Sequence, residues 1–333
     1  MAEITNGAPT PALDVTNLGV SYFTSSGEVK AADGVSFNIM PGKRMGLVGE
    51  SGSGKTTTAL ALMRLIKPPG QITKGSAVVD GIDLLSLNDE EMRNAKLSKI
   101  ALVPQGAMNS LNPVAKVRNQ IIDGLRDHDA DYSANQYREL VNELLTKVGL
   151  NPQVGDMYPH ELSGGMKQRV TIAIAISMGP KVIIADEPTS ALDVVVQRQI
   201  METLAELQEE LGAAILLIGH DIGLMAQFVD TLGVMYAGRL VETGTLRQLL
   251  REPKHPYTQM LIDSLPSLER QDRKRGDLRG IPGTAPSLYA LPSGCPFHPR
   301  CPQAMDICPG EEPVLKVIGD DNKAEQRAAC LLY

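Results

Sequence analysis

The sequence predicts an α/β fold, a mostly parallel sheet covered by helices on both faces, and three observations carry that reading. Short apolar runs at Arg44–Val48, 182–185 and Ala214–Ile218 read as strands buried on both sides. They alternate with longer helical patterns at 56–66, 165–178 and Val194–Leu211, the order of a parallel sheet. The chain is 333 residues long, 43% hydrophobic and 21% charged, which allows a sizeable core and excludes a wholly disordered or fibrous chain.

Taken in order, 13–23 and 34–39 interleave apolar and polar residues between Gly and Pro, as short sheet strands do. Arg44–Val48 ends in a glycine cluster, and the Ala-, Leu- and Met-rich helix at 56–66 stops at Pro68-Pro69-Gly70. From 88 to 162 the pattern turns helical and more polar. In 136–148 it puts Tyr137, Leu140, Val141, Leu144, Leu145 and Val148 on one face. The segments 234–241 and 244–250 finish the body. Beyond 251 Pro and Gly become frequent, and the mixed charge run at 269–279 reads as a solvated linker face. This gives a core of 1–87 and 163–250, a helical insertion at 88–162 and a C-terminal region at 251–333.

The 32 Lys and Arg against 39 Asp and Glu leave a formal net charge of −7, which argues against wholesale coating of nucleic-acid phosphates or anionic lipid. No apolar stretch reaches the ~18 residues of a membrane span. The first residues lack the charged start and apolar block of a secretory signal, so a cytoplasmic protein with reduced thiols is expected.

Gly49-Glu50-Ser51-Gly52-Ser53-Gly54-Lys55-Thr56 satisfies G-x-x-x-x-G-K-[ST] between a predicted strand and a predicted helix, the context this phosphate loop requires. Backbone N–H groups of Gly49, Ser51, Gly52, Ser53 and Gly54 would curl around phosphate oxygens, continued by Thr57 in the helix. Lys55 would neutralise the β- and γ-phosphates, and Thr56 would reach Mg²⁺. A second strand, 182–185, delivers Asp186 and Glu187 at its C-terminal end, where α/β sheets bind ligands. Asp186 is expected to hold Mg²⁺ through water, and Glu187 to polarise the water that attacks the γ-phosphate.

Leu162-Ser163-Gly164-Gly165-Met166-Lys167-Gln168-Arg169 resembles the signature sequence of the ATP-binding cassette (ABC) family, with Met166 where the family usually has Gln. The resemblance implies a P-loop NTPase with a RecA-like core, an antiparallel β subdomain, a helical subdomain and, here, a small cysteine-containing C-terminal domain. It further implies that Tyr22 stacks on adenine and that Gln105 contacts Mg²⁺ and the attacking water. Asp193, in Ser190-Ala191-Leu192-Asp193, matches the D-loop, and His220 the switch histidine that senses the γ-phosphate. In this family two cassettes pair head to tail, so Ser163, Gly164 and Gly165 of one close over the ATP of the other.

His255-Pro256-Tyr257-Thr258, the run from Gly294 to Pro302, and Asn109-Ser110-Leu111-Asn112-Pro113 resemble the oligopeptide and dipeptide importer ATPases of that family. The resemblance implies an ATP-hydrolysing subunit of a peptide importer on the cytoplasmic face of the membrane. Its partners would be a second, paralogous cassette, two permeases that dock near Gln105, and an extracytoplasmic solute-binding protein, with no nucleic acid. Related importers carry nickel chelates or oligosaccharides, and the rival class is a soluble ABC ATPase acting on nucleic acid or ribosomes.

All four cysteines, Cys295, Cys301, Cys308 and Cys330, fall in the tail at spacings of six, seven and twenty-two positions. Four thiolates suit tetrahedral Zn²⁺ or an iron–sulfur cluster, and the absence of C-x-x-C pairs weakens the zinc-ribbon reading. Members of the resembled subfamily carry a 4Fe-4S cluster on this pattern, so that cluster is expected, with zinc as the alternative and a structural stapling role.

Overall fold

The computed structural model describes residues 10–106, 110–128, 132–264, 280–318 and 325–333. The chain opens with β1 (Leu13–Thr24), β2 (Gly27–Ile39), β3 (Arg44–Val48), α1 (Lys55–Leu62), β4 (Gly70–Val79) and β5 (Ile82–Asp83). Next come α2 (Asp89–Ala95), β6 (Ile100–Val103), α3 (Val117–Arg126), α4 (Ala134–Lys147), α5 (Gly164–Ile176) and β7 (Val182–Asp186). Then follow α6 (Val194–Leu211), β8 (Ala214–Ile218), α7 (Ile222–Met225), β9 (Thr231–Tyr236) and β10 (Arg239–Thr245). The chain ends with α8 (Leu246–Arg251), α9 (Pro256–Asp263), β11 (Lys316–Val317) and β12 (Arg327–Ala328). The described residues divide into two compact units, one drawn from 10–15, 37–43 and the described part of 76–216, the other from 16–36, 44–75 and the described part of 217–333.

In the first unit β7 has β6 and β8 as its neighbours. The β6–β7 pairing is parallel, from Ile100↔Val182 to Val103↔Ala185. Val182, Ile183, Ile184 and Ala185 are fully buried, as expected of a parallel strand covered on both faces. Strand β6 lies inside the stretch whose pattern reads as helical. Four residues, Ile-Ala-Leu-Val, are too few to display either period. Around it α2 and α4 begin with reciprocal capping boxes, Asn88 with Glu91 and Ser133 with Gln136. Tyr137, Val141, Leu144 and Leu145 form the buried face of α4, with Leu140 only half-buried at its margin.

In the second unit the strand order is β11-β12-β10-β9-β3. Strand β3 runs parallel to β9, from Met45↔Thr231 to Val48↔Val234, and the other pairings are antiparallel. The β1 strand lies between β2 and β4. The tail docks on β10 through Glu242, a fully buried carboxylate that accepts from the backbone N–H groups of Lys254 (2.8 Å) and His255 (2.9 Å) and from Gln326 Nε2 (2.7 Å). A buried polar group is tolerated only when its hydrogen-bonding capacity is filled in this way. Helix α9, opening on His255-Pro256, went unread in the sequence. The charge run at 269–279 and Asn109 lie outside the described residues.

Burial makes His255 a pH-sensitive element of this tail. The ring is 2% exposed and Nδ1 accepts from the Tyr257 N–H, and desolvation pushes its pKa down to about 4 from 6.5. Between those values the unfolded chain binds a proton that the folded chain refuses, so stability rises with pH there. Lowering the pH from 6.5 to 4 is expected to cost about 3 kcal/mol through this group. Urea titrations at several pH values check it: His255→Gln should flatten the slope in that window, and an unchanged slope assigns it elsewhere.

Candidate nucleotide-binding site

Strand β3 ends at Val48, and the phosphate loop turns away from it at Gly49, which no other residue could occupy. Its φ is 152°, and a Cβ there would lie 2.2 Å from the Met235 carbonyl oxygen. Gly54, at φ 100°, caps α1, and its Cβ would meet the Ala31 carbonyl oxygen at 2.2 Å. The Gly238 N–H donates to Ser53 O at 3.0 Å, so backbone on several sides shapes the loop.

Lys55 is the first residue of α1 and is 7% exposed; its Nζ donates to Gly49 O (2.8 Å), Glu50 O (2.9 Å) and Ser53 Oγ (3.2 Å). The loop's own oxygens thus hold the ammonium at the mouth of a helix N-terminus, and an arriving phosphate would replace at least one of them. Thr56 and Thr57 follow half-buried in the first turn, with Ser51 and Gly52 exposed at the tip. In the same unit Tyr22 sits half-buried on β1 over Gly70, where a Cβ would come within 2.7 Å of the ring. His220 is exposed just beyond β8.

The first unit holds the carboxylates. Asp186 closes β7 and is 3% exposed. Glu187 follows with φ 44°, a left-handed conformation that costs a non-glycine residue of the order of 1 kcal/mol or more. That turn swings its carboxylate off the strand axis, where Gln105 Nε2 donates to Glu187 Oε2 at 2.6 Å. Two residues 82 positions apart are therefore in direct contact, and the amide orients the carboxylate.

The signature segment opens α5. Ser163 is its N-cap, its Oγ accepting from the Met166 N–H at 3.3 Å. Gly164 and Gly165 supply two of the amides that the helix cannot pair internally. At Gly165 a Cβ would lie 2.7 Å from Val196 Cγ1, which explains a glycine inside a helix. Asp193 accepts from the Val196 N–H at 3.0 Å and caps α6. Asp193→Ala is expected to cost about 1 kcal/mol of unfolding free energy in a denaturant titration; no loss would mean the cap is dispensable.

Thus the loop residues, Tyr22 and His220 belong to one unit, and Gln105, Asp186, Glu187 and Asp193 to the other, with Ser163, Gly164 and Gly165.

In the tail Cys308 is buried and Cys295, Cys301 and Cys330 are half-buried. The Cys295 N–H donates to Cys308 O at 2.8 Å, and the Met305 N–H approaches Cys308 Sγ at 3.4 Å. Burial raises the pKa of Cys295, Cys301 and Cys330, and the neighbouring thiols raise each further. The four thiols are therefore gathered within electrostatic reach. Among the described residues, however, no three His, Cys, Asp or Glu side chains are close enough to hold a metal ion. The expected ligand set is a neighbourhood here and not a closed cage.

A glycine loop cradling a lysine at a helix mouth, a buried aspartate with an adjoining glutamate, and a serine-capped Gly-Gly helix start define a P-loop ATPase of the cassette type. The chain belongs to the ABC transporter family. That family's profile matches residues 32–190, and the profile described as the oligopeptide/dipeptide transporter C-terminal region matches 241–308. Among curated relatives, the dipeptide transport ATP-binding protein DppD of Escherichia coli (strain K12) is 42% identical over 94% of this chain and 95% of its own. The oligopeptide transport ATP-binding protein OppD of Salmonella typhimurium is 43% identical over 94% of both chains. A solved dimeric ATP-binding cassette in a post-hydrolysis state, bound to ADP and Pi, matches with a TM-score of 0.64 at 29% identity, covering 71% of this chain and 99% of that one.

Proposed function

We propose that this chain is the ATP-binding and ATP-hydrolysing subunit of an importer that powers uptake of di- or oligopeptides. The observation that carries the peptide reading is that the likeness to DppD and OppD runs through the tail and does not stop with the cassette. No helix among the described residues is long and apolar enough to cross a membrane. The subunit works peripherally on the cytoplasmic face, with two permeases, a second cassette that is a paralogue, and an extracytoplasmic binding protein that meets the solute. The segment around Gln105 receives a permease helix; beside it Val114 is 82% exposed. Substitutions in Asn109 to Pro113 should uncouple transport from ATP hydrolysis, and transport that continues with ATPase activity and complex assembly intact counts against this contact.

In the reaction Glu187 accepts a proton from water as its oxygen attacks the γ-phosphorus, and the bond to the β-phosphate oxygen breaks to give ADP and phosphate. Lys55 and the loop amides hold the β- and γ-phosphates, Tyr22 the adenine, and His220 the γ-phosphate. Thr56, Gln105 and Asp186 are the residues that would hold Mg²⁺, which would offset phosphate charge. Ser163, Gly164, Gly165 and Asp193 serve the partner cassette's ATP, so the isolated subunit hydrolyses slowly.

Deleting the gene and complementing it with wild type or Lys55→Ala tests the reading through uptake of labelled di- and tripeptides. Rescue by wild type alone supports it; intact peptide uptake with loss of nickel-chelate or oligosaccharide uptake moves the solute to that class. The four thiols are proposed to hold a 4Fe-4S cluster, on the chemistry of a four-thiol donor set gathered in one region. Anaerobic purification should give about four iron and four sulfide per chain; stoichiometric zinc without iron overturns this.

A further inference from the structure

The tail reaches the phosphate loop itself. Glu50, the second residue of the loop, is held in a two-pronged ion pair by Arg300, which stands between Cys295 and Cys301. Nη1 donates to Oε2 at 2.7 Å and Nη2 to Oε1 at 3.0 Å. The arginine side chain is 7% exposed and the glutamate 27%, so neither is a freely solvated surface charge. The Glu50 N–H donates to the Tyr257 hydroxyl at 2.9 Å, and Arg300 Nη1 also donates to Tyr236 Oη at 3.2 Å. Tyr236, Tyr257 and Phe297 pack as a ring cluster with centroids 4.7 to 5.3 Å apart. On its other side the Glu50 carbonyl accepts from Lys55 Nζ. A carboxylate beside a loop built for anions is an electrostatic liability, because it repels the phosphates the loop must attract. Arg300 cancels that charge and, through its fixed fork, fixes the loop's shape.

We propose that Arg300 is a positioning residue for ATP: by neutralising and clamping Glu50, it makes the cysteine-bearing tail part of the nucleotide site. The inference rests on the ATP site and is independent of the solute carried. Affinity for a nucleotide falls in proportion to the fraction of loops in the competent shape. In the full chain, Arg300→Met should therefore weaken binding of a fluorescent ATP analogue about tenfold, and Arg300→Lys, which keeps the charge and loses the fork, by less. The decisive variant is the double one. Glu50→Gln removes the carboxylate that Arg300→Met leaves uncompensated, so Glu50→Gln with Arg300→Met should recover most of the lost affinity, which repair of a merely structural defect would not do. In the assembled complex the loss should appear in KM for ATP, with kcat at saturating ATP little changed. Wild-type affinity in a folded Arg300→Met chain, or a double variant as weak as the single, overturns the proposal. Should Arg300→Met not fold, Arg300→Lys decides it: it must weaken binding in a folded chain, and unchanged affinity overturns the proposal. Failure of the wild type to bind nucleotide would instead overturn the ATP reading beneath it.

Discussion

Glu187→Gln in the assembled transporter is expected to lower steady-state ATP hydrolysis by about 10²- to 10⁴-fold while leaving ATP binding intact. The substitution is nearly isosteric and keeps the left-handed turn at φ 44° that aims the side chain. A Gln side chain can still accept from Gln105 Nε2 through its amide oxygen, so the contact at 2.6 Å has a counterpart in the variant. What disappears is the basicity needed to take a proton from the attacking water. The phosphates are proposed to be held elsewhere, by Lys55 and the loop amides, so KM should change little and the ATP-bound form should accumulate. Phosphate release and nucleotide binding on the same preparation check both halves. Hydrolysis near the wild-type rate would remove Glu187 from the role of base.

Gly54→Ala is expected to cost about 2–4 kcal/mol of stability and to abolish ATP binding. Two costs add. An L-residue at φ 100° is strained, and the new methyl carbon would sit 2.2 Å from the Ala31 carbonyl oxygen, which is backbone and cannot rotate away. Relief requires moving either β2 or the start of α1, and either movement displaces Lys55. Gly52→Ala is the control. Its φ of 76° brings the same kind of strain, but nothing lies within 4 Å of the new Cβ, so it should cost only about 1–2 kcal/mol. Equal unfolding midpoints for the two variants would contradict the close approach at Gly54.

The pieces of the site that are local in sequence were legible there. Gly49 to Thr56 lies in one loop, Asp186-Glu187 at one strand end and Ser163-Gly164-Gly165 at one helix start, so each carries its own pattern. Strands β3 and β8 and helix α6 begin and end where their apolar runs and caps place them. Strand β6 was hidden because its four residues sit among helices and are strand only by pairing with β7. The Gln105–Glu187 contact joins positions 82 apart, and Arg300 meets Glu50 across 250. No local period encodes such pairs. The spacing of the four cysteines reveals a donor set, but spacing carries no distances, and the described residues bring the thiols near one another without closing them into a cage.

A subunit that powers a membrane importer should hold on to the rest of that importer. The subunit is tagged, membranes are solubilised in mild detergent, and the partners retained through purification are identified by mass spectrometry. Two multi-spanning permeases and a second, different cassette should be recovered in stoichiometric amounts. Recovery only from the soluble fraction, with ribosomal or DNA-associated partners, would contradict the importer role.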